Sequence, residues 1–214
     1  GMLPGLIAGL YTFEETNIDL GPLARFAGAR FLHDEVVGID TDNKVVLCRE
    51  RPPVAFDVLS LNIGSTPGLR VPGAKGTVIP VKPIDGFWPQ WEVLRDRCLQ
   101  RRNETHIGVV GGGAGGVELL LSVQYRLRWL LGSQGRSSSH LHFHLATMGK
   151  EILPTHNARV RAKFRRVLQE RGVEVMTNSK VTAIEGPSYR LKFENGGWLD
   201  LDEVLWVTTA RAAS

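Results

Sequence analysis

The chain has 214 residues, of which 43% are hydrophobic and 22% are charged, and its formal net charge is +4. This composition is typical of a globular protein with room for one large domain or two small ones, and it excludes a disordered or fibrous chain. No apolar run reaches the roughly 18 to 20 residues of a membrane span. Because Cys48 and Cys98 form no CxxC pair, neither a disulfide framework nor a redox dithiol is predicted, and a reducing cytoplasm is expected.

The first third of the chain predicts a short helix followed by strands. Apolar residues between Asp19 and Gly28 favour a helix that has Asp19 as its N-cap and ends at Gly28. Strands are predicted in residues 29–40, 44–48 and 54–65. The last of these is mostly apolar, which predicts that it is buried on both faces.

A segment rich in proline and glycine, residues 66–89, is predicted to connect two domains. We therefore expect domains at residues 1–74 and 75–214. In the second domain, helices and strands follow in the order helix 91–101, strand 106–110, helix 117–131, strand 140–148, helix 159–171, then further strands with a hairpin turn at residues 195–197.

The positive charge gathers in the predicted helix 159–171, which carries six Lys and Arg residues. Its apolar residues recur at helical spacing, so the cations are interpreted as the solvated face of an amphipathic helix. No aromatic residues are interleaved with the cations for base stacking, and nucleic acid is not predicted as a partner.

The two halves of the chain resemble each other. Residues 23–67 and 164–213 both run helix, strand, strand, turn and strand, and an acid, Asp57 or Glu203, introduces each last strand. This pattern indicates an internal repeat with an offset of about 130 to 150 residues. A glycine-rich turn precedes the second copy, whereas almost nothing precedes the first. The chain is therefore expected to begin inside its first lobe.

The stretch HIGVVGGGAGGVELLL, residues 106–121, places glycines between two apolar runs and matches G-x-G-x-x-G between a predicted strand and a predicted helix. In this context the first glycine allows a tight turn, the second lets the backbone approach a pyrophosphate, and the third lets the helix pack on the strand. Unpaired N–H groups at the helix start then face the phosphate charge. The predicted nucleotide-binding residues are Gly111, Gly112, Gly113, Ala114, Gly115 and Gly116.

Two ligand classes remain open for these glycines, because they also fit the G-x-G-x-G of methyltransferases that use S-adenosylmethionine. Both classes usually place an acid at the end of the next strand to hold the ribose hydroxyls, and here Thr147 or one of its neighbours stands there. A hydroxyl neither grips a diol through two bonds nor repels a 2′-phosphate, while the nearby cations Lys150 and Arg159 favour that phosphate. The choice between NAD and NADP stays open.

Alternating histidines in the predicted strand 140–148 have a spacing that suits a metal ion. Leucine and phenylalanine fill the other face, however, so ordinary strand alternation accounts for the pattern. No cysteine or carboxylate lies close in sequence to complete a ligand set, and no metal site is predicted.

Taken together, these motifs resemble the two-lobed FAD/NAD(P) flavoproteins of the pyridine nucleotide-disulfide oxidoreductase superfamily. GVVGGGAGGVEL resembles the fingerprint of the NAD(P)H lobe, EILP the stretch after its second strand, FDVLSLNIGSTP the return from the FAD lobe, and DEVLWVTTA the strand that closes the NAD(P)H lobe. Within this group the chain is similar to type II NADH dehydrogenases. It is more similar still to the flavoprotein half joined to selenide, water dikinase, in MLPGLIAG, FAGARF and RPPVAFDVLSLNIGSTP.

The resemblance implies an α/β fold: a Rossmann-like NAD(P)H-binding lobe with an antiparallel β-meander, plus a partial FAD-binding lobe. It implies hydride transfer from NAD(P)H to FAD and onward to a quinone or other acceptor. On this resemblance Glu118 orients the nicotinamide end and Thr147 sits beside the adenosine ribose. Gly64, Ser65 and Thr66 approach FAD in the intact protein.

Two departures from the family qualify these expectations. The family's FAD fingerprint and a later Gly-Asp segment are missing, so the chain is expected to be an internal fragment that binds NAD(P)H weakly and holds no stable flavin. Expected partners of the intact protein are a quinone or other acceptor, a second copy in a homodimer and a kinase domain, at a cytoplasmic or peripheral membrane location. Because Thr147 replaces the acid, the alternative is a non-catalytic nucleotide-binding or interaction module attached to a partner enzyme such as selenide, water dikinase.

Overall fold

The computed structural model describes residues 2–186, 188–208 and 210–212. Their helices are α1 (Leu3–Ala8), α2 (Phe13–Thr16), α3 (Leu20–Phe26), α4 (Ile84–Gln100), α5 (Ala114–Ser133) and α6 (Ala158–Glu170). Their strands are β1 (Val36–Asp40), β2 (Val45–Cys48), β3 (Val54–Ala55), β4 (Ser65–Pro67), β5 (Ile79–Pro80), β6 (Thr105–Val110), β7 (Leu141–Ala146), β8 (Val173–Met176), β9 (Val181–Glu185), β10 (Tyr189–Phe193), β11 (Trp198–Leu201), β12 (Glu203–Trp206) and β13 (Ala210–Ala212). The chain divides into a large unit, Gly1–Thr12 with Gly64–Ser214, and a small unit, Phe13–Ile63.

A five-stranded parallel sheet in the order β5-β12-β6-β7-β8 forms the centre of the large unit. The strands β7 and β8 lie on one side of β6, whereas β12 and β5 lie on the other. The direction of winding therefore reverses between β6 and β12. In open α/β sheets such a reversal leaves a crevice at the carboxyl ends of the strands, and ligands bind there.

Helices cover one face of this sheet. In α5 the buried leucines Leu120, Leu127 and Leu131 recur at helical spacing and pack on Phe143 and Leu145 of β7. Each such side chain contributes about 1.5–3 kcal/mol when it is removed from water. Phe87, Trp91 and Leu94 of α4 and Leu168 of α6 belong to the same core. None of the helices in the described part of the chain has the length and apolarity needed to cross a bilayer.

An antiparallel meander in the order β11-β10-β9 covers the opposite face. Its core side chains, Leu191 and Leu201 among them, pack against Val204 and Trp206 of β12. A Cβ atom on Gly108 would lie 2.3 Å from the Cδ1 atom of Leu201, so the glycine lets the meander approach the sheet closely. The three layers confirm the predicted α/β fold with its Rossmann-like lobe and β-meander.

The small unit contains α3 and the antiparallel sheet β1-β2-β3. The helix begins as predicted, because the side chain of Asp19 accepts a hydrogen bond from the Gly21 N–H at 2.8 Å. The turn between β1 and β2 is held by the carboxylate of Asp40, which accepts from the backbone N–H of Asn43 at 2.9 Å and from its side-chain amide at 2.7 Å.

The predicted buried strand at residues 54–65 is wrong for most of its length. Only Val54–Ala55 forms strand β3, and beyond it Val58 is 90% and Ile63 67% exposed. Among the described residues no strand pairs with residues 57–64, so the apolar run has no neighbouring strand to bury it. The predicted connector, by contrast, supplies β5, the edge strand of the central sheet.

Candidate nucleotide-binding site

The glycine-rich turn joins β6 to α5 at the carboxyl edge of the central sheet. Gly111 has φ +132°, a conformation that glycine adopts readily and other residues avoid. A Cβ atom there would lie 2.3 Å from the carbonyl oxygen of Val207. The Gly111 N–H donates to the carbonyl of Ala146 at 2.9 Å, which ties the turn to β7. Conformation and space both require glycine at this position.

Gly116 lets α5 pack directly on the turn. A Cβ atom on Gly116 would lie 1.8 Å from the carbonyl oxygen of Gly111. Two non-bonded atoms cannot approach so closely, so the backbone would have to shift. Gly115 has more room, since its Cβ would make an ordinary contact of 3.6 Å with Val207. The first and third glycines of the fingerprint are thus needed for the fold itself.

Gly113, the second glycine of the fingerprint, has open space where a Cβ atom would lie. It is the N-cap of α5 in an extended conformation (φ −75°, ψ 179°), and no atom lies within 4 Å of a Cβ built on it. The backbone N–H groups of Ala114, Gly115 and Gly116 donate to no acceptor among the described residues, and Val117 is the first to bond, to the Gly113 carbonyl at 3.1 Å. Free N–H groups and the positive end of the helix dipole together favour an anion at this position.

Thr147 lies against the glycine turn. It follows β7, is 8% exposed, and would meet a Cβ on Gly112 at 2.6 Å. Backbone hydrogen bonds hold it: its N–H donates to Met176 at 2.9 Å and its carbonyl accepts from Ser179 at 2.8 Å. The sequence contains no signal for the contact with Gly112, because it joins the ends of two different strands.

A loop after β7 is also fastened to the turn. The N–H of Leu153 donates to the carbonyl of Gly112 at 2.7 Å, and the N–H of Gly149 approaches the Thr147 hydroxyl at 3.4 Å. The EILP stretch, residues 151–154, therefore supports the glycine turn from the side. Glu118 is exposed one turn into α5, and among the described residues its carboxylate has no hydrogen-bond or ion-pair partner.

A comparison with known protein families identifies the family of this chain. The family model of pyridine nucleotide-disulphide oxidoreductases matches residues 17–214. The chain belongs to this family.

Two curated members of the family and one solved structure show how much of the chain is shared. Demethylphylloquinone reductase NdbB of Synechocystis sp. is 30% identical over 207 residues, which are 92% of this chain and 49% of that protein. The type II NADH:quinone oxidoreductase of Haemophilus influenzae is 32% identical over 119 residues, 54% of this chain and 26% of that protein. NDH2 from Plasmodium falciparum, in complex with NADH, has the same fold, with a TM-score of 0.86 at 17% identity over 99% of this chain and 48% of its own. The chain thus spans about half the length of these relatives, or less.

The residues that the resemblance assigns to FAD lie on a different element from the glycine turn. Gly64 has φ +73°, and Ser65 begins β4, which pairs with β13 in the register Ser65↔Ala212 and Thr66↔Arg211. The Lys82 ammonium donates to the Ser65 hydroxyl at 3.0 Å. Strand β13 follows β12, which lies next to β6 in the central sheet. The partner strand of β4 is therefore the one that follows the carboxyl end of β12.

The cysteines of this family member are not a redox pair, since both are free thiols. Cys98 is a residue of α4 whose side chain lies in the core, and burial raises the pKa of its thiol to about 12. Only the thiolate is nucleophilic, so Cys98 is inert at neutral pH.

Histidines on two strands form a hydrogen-bonded cluster on the meander face of the sheet. Nδ1 of His106 lies 3.0 Å from Nε2 of His144, whose Nδ1 lies 2.9 Å from the Glu174 carboxylate, and His142 contacts Glu104. Burial lowers the pKa of His144, which Glu174 partly offsets. Within the described ranges, no group of three or more His, Cys, Asp or Glu side chains has a geometry that could hold a metal ion.

Proposed function

We propose that this chain binds NAD(P)H on the glycine turn and serves as the dinucleotide-binding part of an FAD-dependent NAD(P)H oxidoreductase. The observation that carries the proposal is the start of α5, where three N–H groups without an acceptor among the described residues open beside Gly113. A pyrophosphate supplies both the negative charge and the oxygen acceptors that such a helix start favours. The turn also lies at the reversal between β6 and β12, where α/β proteins bind ligands.

In this proposal the parts of the site have separate tasks. The backbone of residues 111–116 holds the pyrophosphate, Thr147 lies beside the adenosine ribose, and Glu118 faces the nicotinamide end. Residues 64–66 face FAD. The proposal assigns none of these side chains a role as general acid, base or nucleophile, so the protein contributes position and electrostatics to the reaction.

The cofactors would supply the chemistry itself: NAD(P)H would be the hydride donor to FAD, and a quinone or other acceptor would take up the two electrons. The names of two relatives, demethylphylloquinone reductase and type II NADH:quinone oxidoreductase, support a quinone as acceptor. NADH bound to the structurally similar NDH2 supports the nicotinamide cofactor. Membrane attachment, homodimer formation and association with selenide, water dikinase stay predictions of the sequence resemblance.

Thr147 supports a second candidate, a non-catalytic nucleotide-binding or interaction module attached to a partner enzyme. Its short, buried side chain leaves the end of β7 without the carboxylate that usually holds a ribose. Such a module binds a nucleotide on the glycine turn but does not oxidise NAD(P)H.

Ligand binding to the purified chain is the first test, read as a rise in melting temperature. A ligand at about 100 times its Kd adds about 2.7 kcal/mol to the free energy of unfolding. We expect NADH or NADPH to raise the melting temperature and S-adenosylmethionine to leave it unchanged. Stabilisation by S-adenosylmethionine alone would overturn the proposal in favour of a methyltransferase.

Turnover then separates the oxidoreductase from the module. NAD(P)H oxidation is followed by nicotinamide absorbance, in protein shown by its flavin absorbance to carry FAD, with an artificial electron acceptor present. Oxidation supports the oxidoreductase. Binding without oxidation by flavin-loaded protein supports the module.

A further inference from the structure

A cleft of about 550 Å³ lies between α4 and β5, the edge strand of the central sheet. Its volume is in the range of cavities that bind small organic ligands. Its aliphatic and proline side chains are those of Leu69, Val78, Ile79, Pro80, Pro89 and Val93. None of the residues that line it belongs to the glycine turn or to the loop after β7, so the cleft is separate from the candidate nucleotide-binding site.

One wall of the cleft is a single face of α4. The opposite face of this helix, with Phe87 and Trp91, lies in the core. Pro89, Val93 and Arg97 recur every four residues, a spacing that places them on one side of the helix, and all three line the cleft. From Pro89 to Arg97 the helix rises by about 12 Å. The wall therefore begins with apolar side chains and ends with a cation.

The facing wall is held by hydrogen bonds to the central sheet. The N–H of Val81 donates to the carbonyl of Trp206 at 3.2 Å, which fixes β5 beside β12. The indole Nε1 of Trp206 donates to the carbonyl of Gly68 at 3.2 Å, which fixes the chain beside Leu69. Both walls are thus formed by the fold itself, and a ligand would find the cleft already shaped.

The cationic end of the cleft has hydrogen-bond donors to spare. Arg97 uses Nε and Nη2 to donate to the Glu203 carboxylate, at 2.8 and 2.5 Å, whereas its Nη1 donates to no acceptor among the described residues. Tyr189 lines the cleft as well, and its hydroxyl has no hydrogen-bond partner in the described part of the chain. Burial lowers the pKa of Arg97, but Glu203 and the nearby phenol of Tyr189 outweigh it and raise the pKa overall.

The charge that a ligand meets in the cleft is positive. Glu203 is 1% exposed and does not line the cleft. The acids Glu92 and Asp96 of α4 form ion pairs with Arg95 and also lie outside the lining. None of the described residues that do line it carries a carboxylate. An anionic group would therefore meet donors and a cation without a competing acid at the surface.

We propose that the cleft binds an aliphatic carboxylate of medium chain length, with its hydrocarbon chain along Pro89 and Val93 and its carboxylate at Arg97 and Tyr189. Aliphatic walls suit a hydrocarbon chain, whose removal from water favours binding. Hydrogen bonds from the guanidinium and the phenol to a carboxylate are charge-assisted and so belong to the stronger kind. The cleft is a second ligand site, and it should be occupied independently of the glycine turn.

The test is titration of the purified chain with octanoate, followed by the chemical shifts of its backbone amides. We expect shifts in residues 76–80 and 89–97 and none in residues 111–116. Octanoate should bind at least about tenfold more tightly than butyrate, because four more methylene groups leave water. It should bind about fivefold more tightly than octanol, which lacks the charge.

Variants of the two ends of the cleft test the orientation of the ligand. Val93→Asp places a carboxylate in the apolar part and should raise the Kd of octanoate at least about tenfold. Folding should tolerate it, because Val93 is 54% exposed. Tyr189→Phe removes only the hydroxyl and should raise the Kd about fivefold. Ile84→Asp is the matched control, since it changes an exposed apolar residue of α4 that does not line the cleft, and its Kd should stay within about twofold.

Three results would overturn the proposal: amide shifts that lie outside the cleft, octanol binding as tightly as octanoate, or an unchanged Kd in Val93→Asp. Absence of octanoate binding would overturn it as well. Each of these results leaves the proposed function intact, because the cleft and the glycine turn share no residue. Loss of NAD(P)H binding, conversely, would not bear on the cleft.

Discussion

A Cβ atom on Gly112 would lie 2.6 Å from both the Cβ and the Oγ1 of Thr147. The residue that stands in the place of the ribose-binding acid is thus packed beneath the glycine turn. Any larger side chain at either position must displace the other. The pair makes the shape of the turn depend on the end of β7.

Gly112→Ala and Gly113→Ala should separate folding from binding. Gly112→Ala should lower the free energy of unfolding by about 1–3 kcal/mol through overpacking against Thr147. Gly113→Ala should lower the free energy of unfolding by no more than about 1 kcal/mol. No atom lies within 4 Å of its Cβ position, and the only cost is that alanine is a poorer N-cap than glycine. It should nevertheless raise the Kd of NAD(P)H about tenfold, since its methyl group keeps the pyrophosphate from the backbone.

Denaturant titration and calorimetry measure the two effects. Unchanged cofactor affinity in Gly113→Ala would contradict the assignment of the open space beside Gly113 to the pyrophosphate.

Gly116→Ala should be among the most damaging substitutions in α5. Its Cβ would lie 1.8 Å from the backbone oxygen of Gly111, which no rotamer change relieves. We expect a loss of at least about 3 kcal/mol in the free energy of unfolding, measured by denaturant titration. Gly132→Ala in the same helix is the control: its Cβ would meet nothing within 4 Å, and alanine should add up to about 1 kcal/mol. Similar effects of the two would refute close packing at Gly116.

Glu203→Gln should show the value of a buried ion pair beside the central sheet. Glu203 is 1% exposed and accepts two hydrogen bonds from Arg97, at 2.8 and 2.5 Å. Breaking such a pair leaves a charge without its partner, and because the Arg97 side chain is 43% exposed, we expect a loss of about 2–3 kcal/mol. Glu194→Gln removes an exposed pair with Lys180 and should cost less than about 1 kcal/mol. Denaturant titration of both variants at neutral pH compares them, and equal losses would show that burial adds nothing.

Stability should fall as the pH is lowered through the range of histidine. Burial holds the pKa of His144 below its ordinary value of 6.5, so the unfolded chain takes up a proton at a pH where the folded chain does not. The stabilisation is therefore complete above about pH 6.5 and is lost as the pH falls below it. The neighbouring His106 and His142 add to the effect, and Glu174 opposes it.

The measurement is the melting temperature between about pH 8 and pH 5.5, the range in which histidine titrates. His144→Gln should flatten the decline relative to the unaltered chain. His156→Gln, at an exposed histidine after the EILP stretch, should not alter it. An unchanged slope in His144→Gln would assign the pH dependence to other groups.

Several features of the fold could be predicted because they depend on residues close together in the chain. The helix of the small unit begins at the Asp19 cap, and the hairpin between β10 and β11 turns at Gly196, with φ +84°. The strand, turn and helix around Gly111 follow from apolar runs on either side of a residue that must adopt positive φ. Periodicity over a few residues is enough for such elements.

The sequence by itself thus determined the glycine turn, the alternation of helices and strands, and the family to which they point. The tertiary structure decided that Thr147 packs under Gly112, that Arg97 pairs with Glu203, that Arg165 meets the loop of Lys150, and that residues 57–64 lie outside any sheet. These relationships join strands and helices far apart in the chain. They depend on strand order and on which neighbours are present to bury a side chain, and neither is encoded in local periodicity.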